Sequence, residues 1–270
     1  MDIEQFAFDY GVDDLDHEEI LRVVQKGVEL GRLPKASLQE SIPDVLARLN
    51  LLDTGRIKNA AVILFAKRDK HWVEQLNIMM ARFMGLSIVD TITDNQCFYG
   101  NAFRILSEAT HYAGRYLAIP EFLDADDPLP IETPRLPAIA VREAITNALV
   151  HRDYSFRSYR SRFAIYNDRI EITTSGALPS ELTISDLPDN HKSYPRNSLI
   201  ADVFHICGLI DKKGEGISRM IDACKDEGFP LPEFYEDARG LSLVLKFKNS
   251  MLPIDSPPRN PLRYPNNQWE

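Results

Sequence analysis

Val141-Arg-Glu-Ala-Ile-Thr-Asn-Ala-Leu-Val-His-Arg-Asp-Tyr-Ser155 decides how the chain is read. Val141, Ile145, Ala148 and Leu149 recur at helical spacing, so the stretch predicts a helix running into a polar turn. Glu143 and Asn147 stand four residues apart on the other side, with His151 one turn further on. A carboxylate, an amide and an imidazole thus line one edge. A lone Glu/Asn pair on an amphipathic helix is ordinarily just its wet face. Two glycine turns elsewhere, Ser175-Gly176 after an apolar alternation and Gly214-Glu-Gly216 before a second helical pattern, set this helix apart.

The surroundings are those of a globular protein. The 270 residues are 44% hydrophobic and 26% charged, enough for one large or two ordinary domains. No run approaches the roughly 18 apolar residues that span a bilayer, and Met1 is followed by Asp2 and Glu4 rather than by a basic, apolar leader. A cytoplasmic protein without a membrane partner is expected. Cys97, Cys207 and Cys224 are far apart and lack metal-ligand spacing, so they are expected to be small buried side chains. A net charge of −9 argues against a surface that coats nucleic acid.

Outward from the central helix, the chain divides into an α/β unit at 1–118, a Pro- and Asp-rich linker at 119–137, a second unit at 138–248 and a Pro-rich tail at 249–270, expected to be disordered or clamped on a partner. In the first unit, Asp13–Leu30, Pro43–Leu52 behind Ser41, and Asn101–Leu117 predict helices. The apolar run Asn59–Ala66 predicts a buried strand with Gln75–Phe83 as partner. His71 and His111 have no partners in the pattern and are expected at the surface or in packing. In the second unit, Phe163/Ile165 and Ile170/Ile172 predict a hairpin through Asn167-Asp168. Ser180–Arg196 reads as a lid-like loop, Asn197–Leu209 and Ile217–Asp226 as helices, and Leu241–Phe247 as a last strand.

A Gly-x-Gly turn entering a helix presents backbone amides to an anion at the helix's positive end. No P-loop, nucleophile elbow or kinase signature is present. Glu-x-x-x-Asn on a helix, a strand with a glycine turn, a lid and a second glycine turn into a helix resemble the Bergerat (GHKL-type) fold of gyrase B, heat-shock chaperone, histidine kinase and mismatch-repair ATPases. Arg142–Ser155 looks like the central signature of RecG-like transcriptional regulators, in which this region follows a Schlafen AlbA-type module. Arg169–Pro179, Arg196-Asn197, Gly214–Met220 and Thr54–Phe65 extend the likeness.

That resemblance implies an α/β architecture whose second unit is a sandwich of helices on a mixed sheet. It implies a site in which Glu143 activates the water that attacks a terminal phosphate, and Asn147 holds Mg²⁺. His151, Gly176, Gly214 and Gly216 would complete the ATP pocket. Thr173-Thr174-Ser175-Gly176-Ala177 departs from the pattern: no carboxylate stands where those enzymes read adenine, and one glycine stands in place of two. The function expected is that of an ATP-binding regulatory module, with hydrolysis left open. The alternative is a degenerate module for dimerisation, protein docking or DNA binding. Expected partners are the nucleotide, further copies of the chain, and DNA, through modules outside the chain or through Arg157, Arg160 and Arg162. For Arg152 and Asp153 the structural expectation is an ion pair capping the turn.

Overall fold

The computed structural model describes residues 2–67, 76–121, 131–156, 160–188, 194–210, 215–237 and 240–247. In chain order, helices α1 (His17–Glu29) and α2 (Ile42–Arg48) precede the short strands β1 (Leu52–Asp53) and β2 (Arg56–Ile57) and helix α3 (Asn59–Phe65). Strands β3 (Asn77–Met84) and β4 (Thr91–Tyr99) form a hairpin, followed by α4 (Ala102–Leu117), β5 (Ala118–Glu121), β6 (Ile131–Pro134) and α5 (Ala138–His151). Then come β7 (Ser161–Ile165), β8 (Arg169–Ser175), α6 (Ser198–Ile206), α7 (Gly216–Asp226), β9 (Glu233–Asp237) and β10 (Gly240–Lys246).

Local chemistry explains the helix starts. Asp16 caps α1 by accepting from the Glu19 amide at 3.1 Å, and Ser41 caps α2 with a proline in its first turn. Asn59–Ala66 corrects the expected strand. Its residues 59–65 form α3, and every one of them is buried. A short apolar run cannot tell a buried strand from a helix enclosed on all sides, and here α1, α4 and α6 pack around it.

A six-stranded mixed sheet in the order β4-β3-β7-β8-β10-β9 carries the molecule. Its strands β3 and β7 pair in parallel, with Ile78 opposite Ser161 and Arg82 opposite Ile165. Segments 1–118 and 138–248 thus share one sheet across the residues between them. Alternation along the strands sends Ile78, Met80, Phe163, Ile165, Ile170, Ile172, Leu243 and Leu245 to the helix-covered face, where they join a single core with α4, α5 and α6. On the other face Phe83 and Tyr166 stack with ring centroids 5.0 Å apart.

The β7–β8 hairpin closes as the pattern predicts, with the Tyr166 amide donating to the Arg169 carbonyl at 2.8 Å around Asn167-Asp168. The prolines within 119–137 do not abolish regular structure. β5 and β6 pair from Ala118 opposite Pro134 to Glu121 opposite Ile131, a two-stranded ribbon in which a proline can turn its missing N–H away from the partner. Residues 122–130 and the tail from 248 onward lie outside the described residues, as does His71. His111 is exposed, Cys207 and Cys224 are buried, and Cys97 is half-buried.

Candidate functional site

Helix α5 is buried almost all round rather than on one stripe. Ala140, Val141, Ile145 and Leu149 enter the core, and Glu143 is also buried, at 8% exposure, because α7 packs over the side expected to face water. Four residues apart on that side, Glu143 and Asn147 line a cavity, followed by His151 at the end of the helix. Gly216, the first residue of α7, lies opposite. The remaining wall is mainly apolar, built by Ile172 of β8, Leu241 and Leu243 of β10, Phe234 of β9, and Leu178, Leu182 and Leu187 from the segment after β8.

Gly216 is a close-approach position. A Cβ there would overlap Glu143 Oε1, so only glycine lets the carboxylate rest against the first turn of α7. Glu143 Oε2 also accepts from Arg219 Nη2 at 3.3 Å, one turn into the same helix. A carboxylate near a helix N-terminus meets the positive end of the macrodipole, and Arg219 adds a full charge. Burial lowers the affinity of the neighbouring Arg142 guanidinium for its proton; Glu143 opposes that shift and Arg219 reinforces it.

The end of α5 is fixed by three interlocking motifs. Asn197 Nδ2 donates to the Val150 carbonyl at 2.8 Å and to the Arg152 carbonyl at 2.7 Å, satisfying acceptors that a helix C-terminus leaves open. The Asp153 amide donates to the Ser175 carbonyl at 2.9 Å, and Ser175 Oγ returns a bond to the Asp153 carbonyl at 3.0 Å. Arg196 Nη2 donates to the Ala177 carbonyl at 2.8 Å, over Gly176. Gly176 has φ +105, and a Cβ there would press to 3.0 Å from Arg196 Nε. Gly176 therefore belongs to this frame and is not part of the cavity wall.

The expected Arg152–Asp153 ion pair is not formed. Arg152 is buried at 3% exposure and Nη1 donates to the Asn77 carbonyl of β3 at 2.8 Å. Asp153 turns instead to Arg196, 3.8 Å away, and to Ser155. Extended backbone at Arg152 sends consecutive side chains to opposite sides. Burial raises the Asp153 pKa, but the Ser155 hydrogen bonds and the Arg196 charge outweigh it and hold the carboxyl below its ordinary range.

Glu143, Asn147, His151 and Gly216 thus meet at one cavity, Gly176 supports it, and Gly214 lies outside the described residues. Arg160 is exposed; Arg162 is half-buried, on the sheet face away from the core-facing Phe163; Arg157 lies outside the described residues. Arg219 was not singled out by the pattern, although its place three residues after Gly216 puts it on the same side of α7. The leucines closing the wall carried no signal, since apolar loop residues look alike until they are placed. Among the described residues no group of three His, Cys, Asp or Glu is arranged to hold a metal ion.

Known proteins resemble parts of this arrangement. Residues 161–245, from β7 to β10, match the family model described as "Putative ATP-dependent DNA helicase recG C-terminal". A crystal structure of the DIP2311 protein from Corynebacterium diphtheriae superposes with a TM-score of 0.69 at 20% identity, over 94% of this chain and 48% of that one. The chain therefore spans about half the length of that protein, and the likeness is one of fold. No curated protein matches the sequence. The matched stretch supplies the β8 and β10 walls and α7, while Glu143, Asn147 and His151 of α5 precede it.

Proposed function

We propose that the cavity binds a nucleoside triphosphate together with Mg²⁺, and that the chain serves as a nucleotide-responsive regulatory module. The observation that carries this reading is the polar end of the cavity, lined by Glu143, Asn147, His151 and the Gly216 start of α7, while most of the remaining wall is apolar. The match of residues 161–245 to an ATPase-type family supports it. Phosphates brought to this end meet the amides of the α7 N-terminus and the charge of Arg219, and the Asn147 carboxamide oxygen is a hard donor suited to a metal on those phosphates. Mg²⁺, when bound, supplies charge neutralisation at the phosphate oxygens. Glu143 carries the only carboxylate among the described cavity residues and is the candidate for accepting a proton from water.

The test is a thermal melt with a non-hydrolysable ATP analogue and Mg²⁺. A ligand that binds only the folded chain at about 100 times its Kd adds about 2.7 kcal/mol, which moves Tm by several degrees. Melting temperatures unchanged by millimolar ligand and Mg²⁺ would refute the proposal and favour a module that docks other molecules.

A further inference from the structure

We infer that Arg82 and Arg135, at the end of α5 remote from the cavity, form a second site that binds a phosphate-class dianion. The site is independent of the nucleotide cavity. Arg152, at the C-terminal end of α5, reaches the Asn77 carbonyl, and Arg82 lies five residues further along β3, where its Nη1 donates to the Ile165 carbonyl at 3.4 Å. Arg135 stands three residues before α5 begins. With 14 residues at about 1.5 Å each, the two ends of that helix are about 20 Å apart.

Both guanidiniums are buried, Arg82 at 3% exposure and Arg135 at 7%, and neither forms an ion pair among the described residues. Besides the Ile165 carbonyl, Arg82 meets only another neutral acceptor, Asn167 Oδ1, at 2.6 Å. The carboxylate best placed to pair with it is Asp94, its cross-strand partner on β4, but Asp94 is engaged by Tyr116 and by Arg115 Nη2 of α4. Arg135 lies over the Phe247 ring, 5.7 Å from its centroid, and its enclosed Nε has no hydrogen-bond partner. Burial lowers the affinity of both side chains for their protons, and the nearby Arg82 charge lowers that of Arg135 further, to about 10. Both therefore stay cationic at neutral pH.

Buried charges are ordinarily paired, because neutral carbonyls and a cation–π contact return less than desolvation takes. Two such cations, close enough to repel each other, are completed by an anion from outside. A dianion cancels both charges at once, and the planar fork of a guanidinium matches phosphate oxygens. The first turn of α5 holds no acidic residue and no capping side chain, so its positive end adds to the same potential.

The test is a thermal melt of the whole chain in about 10 mM inorganic phosphate, against sodium chloride at matched ionic strength. The expected result is a Tm higher by about 3 °C or more in phosphate. Arg135→Met, which keeps the side chain's bulk and removes its charge, should gain no more than the small general effect of an excluded salt. Arg82→Gln, which retains a donor for Asn167, should lose the gain as well and gives the same reading through a second residue. Asn147→Ala should keep the gain, because the nucleotide cavity takes no part in it. Glycerol 3-phosphate separates two sources of the same chemistry: a gain from inorganic phosphate alone assigns the free ion, and an equal gain from both assigns the end of a phosphomonoester. An unchanged Tm in the parent, or an equal gain in the parent and in both arginine variants, would overturn the site. A gain lost in Asn147→Ala but kept in the arginine variants would place the phosphate in the nucleotide cavity and overturn the site while leaving the nucleotide reading standing.

Discussion

Glu143 occupies the space that a Cβ at position 216 would fill. The carboxylate lies against the first turn of α7 and is paired with Arg219, while Gly216 leaves room for it. In an unobstructed first turn Gly→Ala is worth up to about 1 kcal/mol of added helix stability. Here the new methyl group collides with Glu143, so Gly216→Ala should destabilise the parent. In a Glu143→Ala background the same change should become neutral or stabilising. Urea unfolding of the four proteins gives the coupling, expected at about 1 kcal/mol or more. Additive effects would contradict the contact. The Glu143/Asn147/His151 edge was readable in the sequence because helical spacing alone puts those residues in line. Glu143's burial was not, since it depends on α7, which follows 73 positions later in the chain.

At the scale of elements, α5 is held at its end by a residue from another segment. Asn197 satisfies the Val150 and Arg152 carbonyls in a buried place; Asn197→Ala removes the side-chain donor from both, while the Val150 carbonyl keeps the Asn197 main-chain amide at 3.2 Å. A buried unmet acceptor costs about 1–3 kcal/mol, so a loss in that range is expected from the Arg152 carbonyl, measured as a shift of the urea midpoint at unchanged slope. Asn197→Asp should rescue nothing, because a carboxylate cannot donate. A midpoint within error of the parent would show that the cap is dispensable. The elements with strong periodicity, α1, α4 and the β7–β8 hairpin, could be read from sequence. The strand reading of α3 failed because the unbroken apolar run Ala60–Phe65 has no period to read. β9, with Glu233, Glu236 and Asp237, gave no strand signal because its strand character comes from pairing with β10 and not from its own alternation.

For the whole molecule, one sheet ties the first hundred residues to the last. The β3–β7 pairing joins Ile78 to Ser161 and has no local signature in the chain, which is why sequence divides here where the fold does not. At the β4 edge, Tyr116 of α4 donates to Asp94 at 2.5 Å. Burial first, then the bond to Asp94 and its charge, push the phenol up to about 12. A tyrosine in the unfolded chain titrates near 10, so the folded state holds this proton more tightly. Its stabilising contribution is complete below about pH 10 and is lost as pH rises from there through about 12. Tyr116→Phe should therefore flatten the alkaline limb of stability against pH; an alkaline limb unchanged in the variant would contradict this assignment. Among the described residues no helix is long and apolar enough to cross a membrane.

Asn147 and the α7 N-terminus are proposed as the recognition end of a nucleotide site. Calorimetric titration of the parent and of Asn147→Ala with a non-hydrolysable ATP analogue and Mg²⁺ tests it most directly, with a urea midpoint on each protein to show that both are folded. The account predicts saturable binding by the parent and a loss of about tenfold or more in the variant, the order of one charge-assisted contact. Equal affinity in the two folded proteins, or no binding by the parent, would contradict it.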